Sequence, residues 1–197
     1  MKTKSKALLM TLCAVLLVAA SVLGTMAYLT STTGPVTNTF SIGKIAITLD
    51  EAPVNVYGEV VEGARRTGNQ YKLMPGHKYD KDPTVHVEKS SEDAYIFVKV
   101  ENGISAFEAD TTIAAQIAAE GWMALPSVNN VYYKDYTKNA DNDVDLVVFR
   151  NFTIAEGAES VSGWADATNA NITINAYAVQ KDGFTSAKDA WDAAKFN

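Results

Sequence analysis

The chain has 197 residues, 17 basic against 23 acidic side chains, a net charge of −6 and one cysteine. Such acidity argues against nucleic acid or anionic lipid as a partner. A lone cysteine excludes a disulfide framework, so a folded domain here must rest on an apolar core.

The first element in the chain is an export leader. Lys2, Lys4 and Lys6 precede an almost unbroken Leu, Val and Ala run over residues 7–23, the charged and apolar regions of a secretory signal peptide. The run is about 17 residues long, short of the ~20 that a spanning helix needs. Small residues close it, which places cleavage between Ala27 and Tyr28 and divides the chain into a signal peptide, 1–27, and one domain, 28–197. An uncleaved N-terminal anchor is the alternative reading. Cys13 lies inside the apolar run behind Leu12, which is too large for a lipoprotein cleavage site, so the mature chain keeps no cysteine. Without the three leader lysines, 14 basic residues face 23 acidic ones, a net −9, which keeps a secreted subunit soluble until it meets its partner. The expected location is extracellular or at the cell surface.

Residues 28–40 follow as a polar, Thr-rich arm interrupted by Gly34-Pro35, with Tyr28, Leu29, Val36 and Phe40 as apolar anchors. Period-two alternation then starts: Phe40 and Ile42, then Ile45, Ile47 and Leu49, with Gly43 as a bulge where the register changes. Residues 57–66 read as a strand or a long loop, and Met74-Pro75-Gly76 as a turn. Alternation resumes at 84–87. Residues 94–101 are bulky on both faces, which predicts a central strand, closed by the turn pair Asn102-Gly103. Asp110 is the expected cap of a short helix carrying Ile113, Ala114, Ile117 and Ala118, which ends at Gly121. Residues 122–125 and 131–136 predict two strands joined by a turn, 144–154 one long strand with Leu146, Val148, Phe152 and Ile154 on one face, and 171–180 a strand with Ile172, Ile174, Ala176 and Ala178 inward. Ser186 with Asp189 resembles a capping box, ahead of a helical stripe of Ala187, Ala190, Trp191 and Ala194. Many short strands without alternating helices predict a mainly β fold, an antiparallel β-sandwich of jelly-roll type with a short inserted helix and a C-terminal helix.

Four stretches, in order, resemble the TasA/camelysin family of exported biofilm-matrix proteins, whose leaders are processed by a SipW-type signal peptidase. They are the leader junction Ala27-Tyr28-Leu29-Thr30 running to Phe40-Ser41-Ile42-Gly43; Met74-Pro75-Gly76-His77 with Asp82-Pro83-Thr84-Val85; the strand from Asp93 to Val100; and Ala176-Tyr177-Ala178-Val179-Gln180 with Asp182-Gly183-Phe184 and the helix of Trp191. The likeness departs at His77, where an acidic residue is expected, and does not extend to the 50s and 60s. It implies a jelly roll and a structural role in matrix fibres; self-association is the expected contact, and whether a helper matrix protein takes part is left open.

Camelysin also brings a metal-dependent peptidase into view. The zinc chemistry needs about three ligands and a base, commonly His-Glu-x-x-His on a helix. Here His77 and His86 stand nine residues apart in a turn and a strand, with Asp80, Asp82 and Glu88 nearby. Asp141-Asn142-Asp143-Val144-Asp145 opens like a calcium loop, yet Leu146 and Phe152 occupy the positions where such a loop needs Gly and Glu. No nucleophile elbow and no phosphate-binding glycine loop is present. Tyr95, Phe97, Trp122, Tyr132, Tyr133, Tyr136 and Trp164 read either as core and cross-strand partners or as a sugar-binding platform. The sequence therefore assigns no catalytic residue, no cofactor and no metal ligand. The leading expectation is a fibre subunit joined by strand addition of its N-terminal arm, ahead of a secreted metallopeptidase or a monomeric surface adhesin.

Overall fold

The computed structural model describes residues 6, 10–17 and 43–196. The chain divides into two units, Met1–Ser41 and Ile42–Asn197. In the first, residues 10–17 are helical and Cys13 is exposed. No described helix is long and apolar enough to cross a membrane. The expected cleavage site at Ala27 and Tyr28, and the arm anchors Tyr28, Leu29, Val36 and Phe40, lie outside the described residues.

The second unit is mainly β, and all its strand pairs are antiparallel. Strands β1 (Ile47–Asp50), β3 (Thr84–Val87) and β7 (Val144–Val147) form one sheet in the order β1-β3-β7. β2 (Lys78–Asp80) pairs with β8 (Asn151–Thr153) in a second. β4 (Ala94–Asn102), β5 (Met123–Ala124), β6 (Val131–Tyr136) and β9 (Ile172–Gln180) form a third in the order β5-β6-β4-β9. Two α-helices, α1 (Ile113–Ala119) and α2 (Ala187–Ala194), complete the regular elements, with short 3-10 turns at Ser105–Phe107, Ala158–Ser160 and Trp164–Asn169.

β4 is central, as its two bulky faces predict. Ile96, Val98 and Val100 enter the main core with Val85 and Val87 of β3, Phe152 of β8, and Ile113 and Ile117 of α1. On the opposite face, Tyr95 and Phe97 join Val131, Ala187, Ala190 and Trp191 in a second cluster that seats α2 on the four-stranded sheet. Alternation along β9 divides the same way, with Ile174, Ala176 and Ala178 toward the main core and Tyr177 and Val179 toward α2. Gly103 turns the chain out of β4 where a Cβ would meet the Asn171 carbonyl oxygen at 2.8 Å.

Several expectations need correction. The long strand over 144–154 is two strands in different sheets. Val148 and Phe149 are both fully buried, and a pleated strand cannot send adjacent residues to one side; the chain therefore leaves β3 after Val147 and re-pairs with β2 from Asn151. The inserted helix is capped by the Thr112 hydroxyl on the Ala115 N–H at 3.2 Å, with Glu108 accepting from the Ile113 N–H at 2.8 Å; Asp110 is not the cap. β1 begins only at Ile47, and Gly43 lies against the Glu92 side chain rather than inside a strand. Ser186 does cap α2, accepting from the Asp189 N–H at 3.1 Å, but Ala194 is exposed and the buried stripe is Ala187, Ala190 and Trp191.

Phe97 is fully buried, with its ring 5.2 Å from that of Trp191. Phe97→Ala is expected to cost about 3–5 kcal/mol, read as a lower urea midpoint with an unchanged slope.

Candidate functional site

Two features outside the apolar core carry chemistry: the outer edge of β9 and a polar network at the end of β1.

β9 ends its sheet. Gly103 N–H donates to the Asn171 carbonyl and Lys181 N–H to the Asp93 carbonyl, so the hydrogen-bonded pairs with β4 fall on odd-numbered residues of β9. The even-numbered residues, Ile172, Ile174, Ala176, Ala178 and Gln180, consequently turn their N–H and C=O groups away from β4. Among the described residues these groups have no backbone partner. β1 comes within 8 Å of β9 between Cα atoms without pairing to it. An edge nine residues long, whose outward backbone groups find no backbone partner among the described residues, has the form of a template for another strand.

The polar network grows from local geometry in the segment the sequence left unassigned. Residues 51–66 fold back on themselves through bridges Glu51↔Arg66 and Val54↔Val60. Asn55 holds the tip by accepting from the N–H groups of Tyr57 and Glu59 at 2.9 and 3.1 Å. Gly58 has φ +77°, and a Cβ there would overlap the Tyr79 backbone at 2.6 Å, so only glycine lets this lobe pack on β2. Val56, Tyr57 and Val60 on the lobe remain exposed.

At the lobe's root, Arg65 donates to the Asp50 carboxylate and to Asp82 Oδ2 at 3.0 Å. Asp50 lies on β1 and also meets His86 Nε2 at 2.8 Å, while His86 Nδ1 meets Asp145 Oδ1 on β7 at 2.6 Å. His86 on the middle strand thus ties together all three strands of its sheet. Burial alone would push its pKa down, but the hydrogen bonds to Asp50 and Asp145 outweigh that and raise it above the ordinary histidine value. Burial pushes Asp50 up in turn, and its bonds from Arg65 and His86 outweigh this and hold it below the usual carboxylate range.

The sequence-derived ligand candidates do not converge. His86 engages carboxylates on opposite ring nitrogens, so its partners Asp50 and Asp145 face away from each other across the ring. Neither was among its expected neighbours Asp80, Asp82 and Glu88. His77 immediately precedes β2 of the two-stranded sheet, with Nε2 2.8 Å from the Tyr57 carbonyl and its ring against Tyr79. In the acidic turn, Asp143 accepts from the Lys89 N–H and Asp145 serves His86. Among the described residues no group of three His, Cys, Asp or Glu side chains is placed to hold a metal ion. Of the aromatic candidates, Tyr95, Phe97, Trp122 and Tyr136 are buried and Tyr132, Tyr133 and Trp164 partly so. Trp164 does border a cleft of about 760 Å³, together with Asn69, Tyr71, Leu73, Phe152 and Ile172.

Sequence reasoning missed the lobe, Asp50 as a partner of His86, and a buried contact in which Lys81 Nζ donates to the Glu51 carboxylate. The one available signal was charge: Asp50-Glu51 ends an apolar strand and Lys81-Asp82 precedes another. Comparison with protein-family models, curated proteins and solved structures finds no match.

The His86 clasp predicts a pH response. A raised folded pKa means its contribution is complete below the unfolded value, about 6.5, and is lost as pH rises through the higher folded value. Asp50, held low, contributes above the ordinary carboxylate range and loses that as pH falls through its folded value. Urea unfolding between those limits should show the greatest stability, declining on the alkaline side. His86→Gln should flatten the alkaline decline and cost about 1–3 kcal/mol below it, as expected for charge-assisted hydrogen bonds.

Proposed function

We propose that this chain is a secreted structural subunit of extracellular matrix or biofilm fibres, with a jelly-roll β-sandwich body, joined by strand addition of the mature N-terminal arm, residues 28–40. The observation that carries the proposal is the outer edge of β9, unpaired among the described residues. Its outward N–H and C=O groups belong to the residues whose side chains face the main core, so an added strand would continue the four-stranded sheet beside β1 and point alternate side chains inward. The arm has the composition for that role: Val36 and Phe40 provide apolar anchors at even spacing, while Thr37 and Thr39 are polar and β-prone.

Supporting considerations come from the sequence. The leader reads as an export signal, the mature chain is cysteine-free, and its net charge of −9 keeps isolated subunits apart until a directional contact forms. An arm-to-edge contact uses different surfaces on the two partners, so it does not close on itself and propagates as a filament. The resemblance to the TasA/camelysin family points to the same role, with a helper matrix protein as a further partner and a SipW-type peptidase freeing the arm.

Electron microscopy of the protein beginning at Tyr28 should show filaments, and deletion of residues 28–40 should abolish them; filaments that persist after the deletion would sink the arm as connector. Ala176→Pro addresses the receiving edge. It removes an outward N–H and no β4 ladder bond, a position that tolerates proline. The variant should stay folded by circular dichroism yet lose at least tenfold in filament mass by sedimentation, an effect of the size expected when about 1.4 kcal/mol per contact is lost.

A further inference from the structure

The buried contact between Lys81 and Glu51 has a third member. The two side chains are 7% and 5% exposed, and Glu51 Oε1 also accepts from the side-chain amide of Asn69 at 2.8 Å. One carboxylate therefore holds an amine on one oxygen and a carboxamide on the other. Asn69 is fixed further on both sides of its amide. Its Nδ2 donates to the Ala52 carbonyl at 2.9 Å, and its Oδ1 accepts from the Val54 N–H at 3.0 Å. The ring centroid of Tyr71 stands 5.9 Å from Lys81 Nζ.

As a salt bridge alone, this arrangement is expensive, because two ions taken out of water recover their hydration only with excellent geometry. As a set of reactants it is well arranged. We propose that Lys81 and Asn69 are joined by an intramolecular amide bond, with Glu51 carrying the proton. Along the Lys81–Glu51 contact the proton passes from ammonium to carboxylate, leaving an amine with a free lone pair for attack. Nζ then attacks Cγ of Asn69. The Val54 N–H sits on Oδ1, where negative charge develops in the tetrahedral adduct. Glu51 delivers its proton to Nδ2 and takes one from Nζ, the Cγ–Nδ2 bond breaks, and ammonia leaves. One C–N bond forms and one breaks, nothing is oxidised or reduced, and no co-reactant is required. Holding both groups on one carboxylate replaces a bimolecular encounter.

The product ties the root of the 51–69 lobe to the connection between β2 and β3. A domain with no cysteine would gain a covalent staple at the lobe, where two isolated bridges stand in place of a ladder.

Mass spectrometry of the purified, folded protein tests this. The intact mass should fall short of the sequence mass by one ammonia, about 17 Da. Trypsin should then leave Lys81 uncut and release residues 67–72 joined to residues 79–89. Glu51→Gln and Lys81→Arg should each restore the full mass. Cleavage of the wild-type protein after Lys81 with an unmodified Asn69 peptide would overturn the proposal without any variant. So would an ammonia loss that survives Lys81→Arg, which marks an asparagine succinimide, or a water loss mapped to Glu51.

Discussion

Burial of β4 on both faces is the constraint from which the rest of the domain follows. A strand with apolar residues on each side needs a cover for each, and here one cover is the main core shared with β3, β8 and α1, the other the C-terminal helix α2. Because β4 pairs with β6 on one edge and β9 on the other, its backbone is satisfied, and among the described residues the unpaired edge passes outward to β9. The edge position of β9 among the described strands is thus a consequence of β4's central position. Side-chain burial and backbone accounting reach that edge together: the residues that turn their peptide groups outward also turn their side chains to the core.

A second organising principle works where the core is thin. The 51–66 lobe has only two isolated bridges and exposes several apolar residues, so polar side chains set its shape. Asn55 holds its tip, Asn69 its root, and Arg65 links it to Asp50 and Asp82. Short amide side chains suit this work, since they can satisfy turn N–H groups that have no ladder partner. Charge is concentrated at the same end of β1, where His86 and Arg65 balance Asp50, Asp82 and Asp145. The proposed staple between Lys81 and Asn69 would make part of that polar organisation permanent.

These two regions support different aspects of the proposed role in a matrix. A fibre subunit needs a directional contact and a body that resists unfolding outside the cell, where no repair follows. The β9 edge and the arm address the first need. The second falls on a core without disulfides, on the three-strand clasp around His86, and on the Glu51 site.

Much of the fold was legible because it depends on local pattern. Period-two alternation located β3, β4, β6 and β9, the double-faced bulk of residues 94–101 placed β4 centrally, and Ser186 with Asp189 announced α2. Where two patterns overlapped, the sequence misled: Val147-Val148-Phe149 continues an apolar run, and only packing shows that the chain must change sheets between two buried neighbours. Asp110 and Thr112 are both acceptable caps by residue type, and the position of Ile113 and Ile117 against the core selected Thr112. The partnership of His86 with Asp50 and Asp145 was invisible because it depends on strand register across distant segments, as does the meeting of Glu51, Asn69 and Lys81. The sequence by itself determined where β3, β4, β6 and β9 lie and which of their faces are apolar, since those follow from neighbouring residues. Only the tertiary structure decided which strand is left at the edge and which charged groups meet, because both depend on how segments far apart in the chain are brought side by side.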